Sequence, residues 1–477
     1  MSKSHHLSLS LHLPSSLPQA EPPQAESMFL SQIKSKRKTA VLADLRITNQ
    51  MDTEYISSDD EESYYISSEV YGLQELPPMT WQEAMKEDKW KDSMRQEIKA
   101  LKDNKVWIMV QLPHGRRTMK TKWAYKIKRN SGGEITKLKS RLNACGYSQK
   151  EGLDYESTYA PVGSKCLLRT LLAIATYRDY EIKQVDFDSA FLNGKLEHEL
   201  YMDQPGGFHD GTSRVCKLEK SIYGLKQAAS VWYKTLKDLL DKLQFEPSTK
   251  DSCLFLRKSG KTRGPEWIFV YVDDLLIIGE RGSCAETSIE LAKIFKTKDL
   301  GNAEFILGIK VTRSKAGMLL NQRAFAEALV DTNMDKALNR SSKSALPINQ
   351  DSNPMDDEAL TVPDSSTYRS IVGATGYLAN TTRPDLSVAF SILGTYVCQP
   401  TNKSWRLAQC CLTYIHETLD LGLMFRTRDP KSSEVTKLEN ELKIYSDSDW
   451  AGNTGSVSTH RRSRSGTHVT LYGGTID

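Results

Sequence analysis

Apolar and polar residues follow two different periods along this chain, and together they predict a mixture of helices and strands. One stripe with helical spacing comprises Trp90, Met94, Ile98 and Leu101. Thr80 and Glu83, which precede the stripe, have the spacing of a helical capping box. Similar spacing predicts a helix over residues 165–177 and another that begins after Gln227.

A period of two predicts a β-hairpin with one apolar face and one cationic face. The apolar positions are Trp123, Tyr125, Ile127, Leu138 and Leu142, and the cations between them are Lys122, Lys126, Lys128, Lys137, Lys139 and Arg141. A turn signal at Asn130–Gly133 separates the two strands. Glu134 is the only acid between Arg116 and Arg141, so the cationic face is expected to bind phosphate groups. An ordinary solvated surface is the alternative.

An apolar run that two adjacent carboxylates interrupt is the most informative pattern. Residues 267–272 and 275–279 are apolar, and Asp273 and Asp274 stand between them, which predicts two buried strands joined at an acidic turn. Carboxylates beside a core require a compensating cation. A pair of divalent metal ions, as used in nucleotidyl transfer, meets that need. A common solvated turn is the alternative interpretation.

A second acidic site follows a predicted strand that ends near Asp186. This strand would bring Asp186 beside Asp273 on a neighbouring strand. Two such acids can hold two Mg²⁺ ions about 3.5–4 Å apart, and Mg²⁺ keeps positions for water and phosphate oxygens. The alternative is a strand-end cap or a surface acid. Between the acidic sites, the glycine turn at Tyr223–Gln227 is either an ordinary loop or a contact for a templating base and its nucleotide.

Composition limits the class of protein without identifying it. The 477 residues suffice for two or three domains, while the hydrophobic fraction of 39% and the Ser-, Pro- and Gln-rich start predict a disordered tail over residues 1–75. The net charge of +4 does not by itself indicate nucleic acid. Scattered cysteines without C-x-x-C spacing predict reduced thiols in an intracellular protein, either cytoplasmic or nuclear. No apolar stretch is long enough for a membrane span, and no membrane partner is expected.

The motifs, taken in order, resemble the reverse transcriptase of copia-type LTR retrotransposons from about residue 76 onward. The matching segments are Trp81–Met85, Trp123–Lys128, Lys139–Gln149, Asp154–Tyr155, Ala160–Val162, Gln184–Gly194, Tyr201–Phe208, Tyr223–Gln227, Tyr271–Asp274, Lys298–Gly301, Leu307–Ile309, Thr382–Asp385 and Tyr445–Gly452. Each motif alone is a weak signal, and their common order and spacing make the resemblance strong.

The resemblance implies an α+β fold, a right-hand polymerase with fingers, palm and thumb, followed by a helical connection and an incomplete RNase H-like C-terminus. The implied divisions are fingers and palm over 76–312, a thumb-like helical segment over 313–338, a linker over 339–366, a connection region over 367–440 and a truncated RNase H-like start over 441–477. It also implies a fragment of a Pol polyprotein. The oligomeric state is not indicated.

The implied activity is RNA-directed DNA synthesis, in which dNTPs are added to a primer on an RNA or DNA template with two Mg²⁺ ions, or Mn²⁺ in their place. By resemblance, Asp186 and Asp273 are metal ligands, and Asp274 lies near the primer end as a further catalytic residue. The nucleotide-binding residues implied in the same way are Lys139, Arg141, Phe191 and Gln227. Among these, Phe191 corresponds to an aromatic gate that excludes a 2′-hydroxyl.

Three departures from the family pattern keep a second interpretation open, a catalytically inactive remnant that retains nucleic-acid binding. Ser230 stands where the family has arginine, and Asn143 stands where it has valine. Asp447 resembles the first RNase H carboxylate, but its expected partners do not follow before Asp477, so no RNase H activity is expected. An unrelated Mg²⁺ nuclease is a third, less favoured interpretation, because it would not need Phe191 or the hairpin cations.

Overall fold

The computed structural model describes residues 77–129, 135–258, 264–333, 343–346, 362–427, 442–448, 465–472 and 474–477. The predicted tail over residues 1–75 and most of the predicted linker over residues 339–366 lie outside these ranges. Within them the predicted mixture of helices and strands is confirmed.

The helices and strands alternate irregularly along the chain. The helices are α1 (Trp81–Ala84), α2 (Asp88–Asp103), α3 (Lys165–Tyr177), α4 (Ala228–Lys242), α5 (Ser283–Ala292), α6 (Arg323–Thr332), α7 (Val362–Ala379), α8 (Ser387–Thr395) and α9 (Asn402–Glu417). The first strands are β1 (Trp107–Val110), β2 (Thr121–Arg129), β3 (Ile135–Ala144), β4 (Glu181–Phe187), β5 (Lys195–Met202), β6 (Val215–Lys220), β7 (Glu246–Pro247), β8 (Leu254–Arg257) and β9 (Glu266–Tyr271). The remaining strands are β10 (Asp274–Gly279), β11 (Thr297–Asn302), β12 (Phe305–Ile306), β13 (Ile309–Ser314), β14 (Gly317–Asn321), β15 (Leu423–Arg426), β16 (Lys443–Ser448), β17 (Ser465–Leu471) and β18 (Gly474–Thr475).

A six-stranded antiparallel sheet with the order β11-β4-β10-β9-β8-β7 forms the centre of the fold. On one face Leu172 of α3 belongs to the same apolar core as Leu276 of β10. On the other face Trp232 of α4 belongs to a second core, together with Leu275 of β10 and Leu291 of α5. Because both faces of β10 are buried, its sequence is a continuous apolar run rather than an alternating one.

The predicted cationic hairpin is confirmed as the pair β2 and β3. Its register places Lys126 opposite Lys139 and Ala124 opposite Arg141, while Trp123 lies opposite Leu142 on the other face. That apolar face packs on α2, whose stripe of Trp90, Met94, Ile98 and Leu101 is buried, as the helical spacing predicts. A three-stranded sheet with the order β1-β6-β5 contributes to the same core.

Three predicted boundaries in the second half of the chain are wrong. The segment 313–338, predicted as helical, begins with the end of β13 and with β14, and among its described residues, 313–333, α6 is the helix. The predicted linker ends earlier than residue 366, because α7 begins at Val362. The helical connection implied over residues 367–440 contains a strand, β15, after its last described helix. Strand β14 pairs with β15, and this pairing of segments about a hundred residues apart stabilises strands that local spacing does not reveal.

Helices α6 to α9 pack around a separate apolar core, and a buried arginine joins this part of the chain to α3. The guanidinium group of Arg169 donates hydrogen bonds to the carbonyls of Asn380 and Thr381 at 3.1 and 3.2 Å. The same group donates to the carbonyl of Ile476, next to the last strand β18, at 2.8 Å. Helix α3 therefore contacts the central sheet, the helical core and the C-terminal strands together.

Within the described ranges the structure shows no membrane-spanning helix and no disulfide. None of their helices is long and apolar enough to cross a membrane. All eight cysteines fall inside the ranges and are free thiols, while the predicted intracellular location stays a prediction.

A buried ionic network crosses the edge of the central sheet. Arg257 of β8 pairs with Glu266 of β9, whose side chain is fully buried. Its guanidinium also donates to the Leu243 carbonyl and to the Glu290 carboxylate, each at 3.2 Å. Buried charges of this kind are tolerated only when both partners are present.

We expect Glu266→Gln to lower the free energy of unfolding by about 3 kcal/mol, because Arg257 then keeps a buried positive charge with a weaker partner. Urea denaturation of the full chain measures this loss. The matched control is Glu246→Gln, which removes an exposed carboxylate 3.9 Å from Lys258 and should change stability by less than about 1 kcal/mol. Equal losses for the two variants would contradict a structural role for the network.

Candidate active site

A strained two-residue turn between β9 and β10 carries the adjacent carboxylates, as the interrupted apolar run predicts. Val272 has a φ of 54°, a left-handed conformation that β-branched residues rarely adopt. The indole nitrogen of the buried Trp232 donates to the Val272 carbonyl at 2.8 Å. Packing of α4 therefore holds the turn in a conformation that local preferences disfavour.

Strand β4 brings the third carboxylate to this turn. In the antiparallel register Asp186 lies directly opposite Asp274, a position in which Cβ atoms are roughly 4.5–5.5 Å apart. The backbone amide of Phe187 donates to the Asp273 carbonyl at 3.3 Å. The side-chain Nε2 of Gln184 donates to Asp274 Oδ1 at 3.3 Å. Asp186, Asp273 and Asp274 thus lie at the same end of two neighbouring strands.

The hairpin cations act electrostatically on these acids. Burial raises the pKa of Asp273 to about 7, the positive charge of Arg141 opposes that rise, and Asp186 and Asp274 add to it. Lys139 also acts to lower the pKa of Asp273. Acids from the central sheet and cations from β3 therefore share one site, although Asp273 and Arg141 are more than a hundred residues apart.

The carboxylates fit a divalent cation that would take further ligands from a substrate. Asp273 Oδ1 is buried and has no hydrogen-bond partner within the described ranges, an arrangement that an ion would compensate. In those same ranges no group of three or more His, Cys, Asp or Glu side chains has the arrangement of a complete metal site. Mg²⁺ is commonly bound by one or two carboxylates plus phosphates and water, so Asp186 and Asp273 could hold it.

Lys298 is a neighbour of the acids that sequence reasoning did not assign to the site. It lies opposite Asp186 on β11, and its Nζ is 3.9 Å from Asp186 Oδ2 and 2.5 Å from Asp188 Oδ1. Lys296 also pairs with Asp188, at 3.1 Å. The sequence signal for Lys298 was its place in the segment Lys298–Gly301, which matches the family. The spacing of residues does not predict that β11 pairs with β4.

Two aromatic rings in contact with each other, those of Phe191 and Tyr223, lie beside the acids. Phe191 is one of the predicted nucleotide-binding residues. The Arg141 guanidinium lies 4.3 Å from the centre of the Tyr223 ring, and the Phe191 ring meets Tyr223 edge-on at 5.2 Å. Burial raises the pKa of Tyr223, Arg141 lowers it, and Asp273 and Asp186 raise it further. The structure thus brings together Phe191, Lys139, Arg141 and the carboxylates.

Gln227 is placed differently from the other predicted residues, because its amide is engaged inside the protein. Its side chain is buried, its Oε1 accepts from Gln149 Nε2 at 2.9 Å, and its Nε2 donates to the Asp154 carbonyl at 3.0 Å. These bonds hold the loop before α3 against the start of α4. A direct contact between Gln227 and a nucleotide stays a prediction.

The loop before Gln227 is also pinned to the end of the cationic hairpin. Gly224 has a φ of 86°, and a Cβ at this position would lie 2.2 Å from the Ala144 carbonyl oxygen. The amide of Ala144 donates to the Tyr223 carbonyl at 2.8 Å. Only glycine permits this approach, which fixes β3 next to Tyr223.

The departures from the family pattern lie at separate places. Asn143 Oδ1 is buried with no hydrogen-bond partner in the part of the chain that is described, an arrangement that a valine at this position would not produce. Ser230 is half-buried in the first turn of α4. Asp447 is exposed on β16 opposite Gly466, in a different sheet from the three clustered acids.

A family profile described as "Reverse transcriptase (RNA-dependent DNA polymerase)" matches residues 104–349, which contain the acidic turn, β4 and the whole cationic hairpin. This chain belongs to that reverse transcriptase family. Transposon polyproteins of plants are similar over most of the chain. The Pol polyprotein from transposon RE2 of Arabidopsis thaliana is 37% identical over 382 residues, 79% of this chain and 25% of the relative. The polyprotein from transposon TNT 1-94 of Nicotiana tabacum is 32% identical over 392 residues, 80% of this chain and 28% of the relative.

The predicted resemblance to copia-type reverse transcriptases is confirmed by these matches. The reverse transcriptase chain spans about a quarter of the length of the curated relatives. A solved structure of the foamy viral protease-reverse transcriptase in complex with double-stranded DNA has a TM-score of 0.39 at 14% identity, covering 76% of this chain and 51% of the other. A likeness of that size supports no conclusion.

One acid of the reverse transcriptase chain lies beneath the cationic hairpin rather than in the carboxylate cluster. Glu97 of α2 accepts a hydrogen bond from the Leu142 amide at 3.4 Å. Burial raises the pKa of Glu97 to about 7, against the lowering effects of that bond and of Lys139. Its charge state is therefore linked to the stability of the contact between α2 and β3.

We expect stability to fall as pH rises from about 4.5 to 7, because the unfolded chain releases the Glu97 proton before the folded chain does. Glu97→Gln removes this linkage and should be more stable than the parent by about 2 kcal/mol at pH 8, with little difference at pH 4.5. Urea unfolding at the two pH values measures the effect. Glu219→Gln, at an exposed position, is the control and should show no such pH dependence. A gain for Glu97→Gln that is equal at both pH values would exclude the linkage.

Proposed function

We propose that this chain is an RNA-directed DNA polymerase that adds dNTPs to a primer 3′-hydroxyl. The observation that carries the proposal is the register of β4 with β10, which sets Asp186 opposite Asp274 and beside the buried Asp273 carboxylate. Family membership supports the same reaction class. Because the chain covers about a quarter of its relatives, its activity, substrates and partners are proposals.

We infer the polymerase subdivisions from the same arrangement of sheets and helices. The central sheet with α3 and α4 would be the palm, and the β2–β3 hairpin with α2 would be the fingers. The β12–β14 strands and α6 would belong to the thumb side, followed by the helical connection and the RNase H-like strands β16 to β18. This proposal moves β12 and most of β13, which lie before residue 313, from the fingers-and-palm range implied by the resemblance to the thumb side.

An incoming triphosphate would lie between the acids and the hairpin cations. Lys139 and Arg141 oppose the negative charge of Asp273, and the same cations would attract phosphate oxygens. Phe191 and Tyr223 would limit the space beside the sugar. Catalysis would then depend on positioning and charge neutralisation.

Asp186 and Asp273 would hold two Mg²⁺ ions, with Mn²⁺ as a substitute, and Asp274 would lie next to the primer end. When bound, such ions activate the attacking hydroxyl and neutralise the leaving pyrophosphate. Asp273 Oδ1 accepts no hydrogen bond from the described part of the chain, so this oxygen would be available to an ion. Lys298 would restrain Asp186 from the opposite side.

A template–primer duplex would contact the turn at Leu307–Ile309, which resembles the region near the primer grip. Leu307 has a φ of 49°, and its carbonyl accepts a hydrogen bond from the Tyr377 hydroxyl at 3.2 Å. The Lys165 ammonium lies 4.3 Å from the centre of the Tyr377 ring. Helix α7 would thus help to hold the primer end.

The second candidate function, an inactive remnant that only binds nucleic acid, is less favoured because the three acids remain clustered. One observation favours the remnant: within the described ranges the buried Asn143 Oδ1 has no hydrogen-bond partner. The two functions differ in primer extension and not in binding.

Extension of oligo(dT) on poly(rA) with dTTP and Mg²⁺ tests the proposed polymerase. We expect extension by the full chain and a loss of at least about a hundredfold for Asp273→Asn, which keeps the shape but removes a ligand charge. The control Asp238→Asn changes an exposed acid on α4 and should leave the rate unchanged. Binding of primer–template without extension by any variant would favour the remnant.

Phe191→Val should reduce the discrimination between dTTP and UTP about tenfold or more, because a smaller side chain leaves space for a 2′-hydroxyl. Single-nucleotide incorporation kinetics with each substrate measure the ratio of kcat/KM values. Phe191→Tyr keeps the ring and is the matched control. Unchanged discrimination for the valine variant would remove Phe191 from the proposed gate.

A further inference from the structure

An open cleft of about 1090 Å³ lies far from the acids, near the beginning of β4. It lies between the end of α3, the segment after β10, the β13–β14 turn and the end of β17. The side chains that matter are Arg178, Asp179, Arg281, Arg313, Lys315 and Tyr472. None of them belongs to the carboxylate site, since β4 separates the two places by roughly 20 Å at the usual rise of a strand.

The cleft carries a clear excess of positive charge. Among the described residues that line it, four side chains are cationic and one, Asp179, is a carboxylate. Asp179 Oδ2 lies 2.8 Å from Arg281 Nη2, and Asp179 Oδ1 lies 2.9 Å from Arg313 Nη2. One carboxylate thus holds two guanidinium groups side by side.

The two arginines are held as a pair that can still donate. Arg313 Nη1 also donates to the Tyr180 carbonyl at 2.6 Å. Each guanidinium carries five N–H donors, and the contacts named here use only part of them. Two oriented guanidinium groups with excess charge match phosphate oxygens, which accept such donors in pairs.

Aromatic contacts join the two sides of the cleft. The rings of Tyr177 and Tyr472 stack with centres 4.0 Å apart and planes 5° apart, so the end of α3 and the end of β17 are in direct contact. Arg178 lies 6.0 Å from the centre of the Tyr180 ring. The cleft is therefore built by segments from both halves of the chain.

Stability does not account for this arrangement. The Arg281 and Asp179 side chains are 75% and 58% exposed, and exposed ion pairs contribute little to folding. Concentrating cations around one acid also brings like charges together. An anionic ligand would offset that repulsion.

We propose that this cleft binds the phosphate backbone of a nucleic-acid strand at a second place, distant from the carboxylate site. The open shape and the spread of cations over separate segments suit successive phosphates better than one small anion. A strand held at the carboxylates would need to extend about 20 Å to reach the cleft. The proposal goes beyond polymerisation, because it concerns binding and requires no catalysis.

The test is the salt dependence of binding of a fluorescent 30-nucleotide single-stranded DNA to the full chain. The variant Arg281→Ala/Lys315→Ala should bind about tenfold more weakly at 0.1 M KCl, with a slope of log K against log salt reduced by about 1.4, as expected for two lost phosphate contacts. The control Arg95→Ala/Lys99→Ala removes two exposed cations from α2 and should leave both quantities unchanged. Equal changes for both double variants, or none for either, would overturn the proposal.

A second measurement locates the contact and separates the sources of phosphate. Photo-crosslinking of a 4-thiothymidine oligonucleotide, read by mass spectrometry, should label peptides containing Tyr177 or Tyr472 in the parent and less so in Arg281→Ala/Lys315→Ala. Inorganic phosphate or dTTP at millimolar concentration should not remove this label if the cleft holds a strand. Complete competition by either would show a small-anion site and overturn the nucleic-acid assignment. If the parent chain is labelled but does not extend a primer, the polymerase proposal is rejected and the nucleic-acid assignment of the cleft stands.

Discussion

Antiparallel pairing of β4 with β10 is the constraint on which the arrangement of the site depends. A shift of this pairing by one residue would turn Asp186 away from Asp274 and exchange the two faces on which the β4 side chains pack. The register is fixed because both faces of the sheet are covered, by α3 on one side and by α4 on the other. Packing far from the carboxylates thus determines their mutual position.

The same packing sets the electrostatic character of the site. Asp273 is held at a turn whose Val272 carbonyl is bonded to Trp232 in the core of α4, so its carboxylate cannot move freely into water. Burial then raises its pKa, and the nearby Arg141 opposes that rise. The site combines negative and positive groups from different parts of the chain, an arrangement suited to a ligand that carries both metal ions and phosphate.

Much of this arrangement could be predicted from local pattern. The acidic turn, the cationic hairpin and the α3 and α4 helices have strong periodicity, and the structure places them as predicted. The helical segment implied over residues 313–338 contains the end of β13 and all of β14, because the pairing of β14 with β15 depends on residues about a hundred positions away. Lys298 was missed for a similar reason, since its place opposite Asp186 arises from strand order in the sheet. The internal bonds of Gln227 with Gln149 and Asp154 depend on loop packing that spacing does not encode.

The close approach of Gly224 to Ala144 has a mechanical consequence for the cationic hairpin. Because β3 is anchored at Ala144, a movement of the hairpin would be a rotation about this end. Arg141 is three residues from Ala144, whereas Lys137 is seven residues away. Any swing of the hairpin therefore displaces Lys137 farther than Arg141, so the cation that acts most strongly on Asp273 lies near the anchored end.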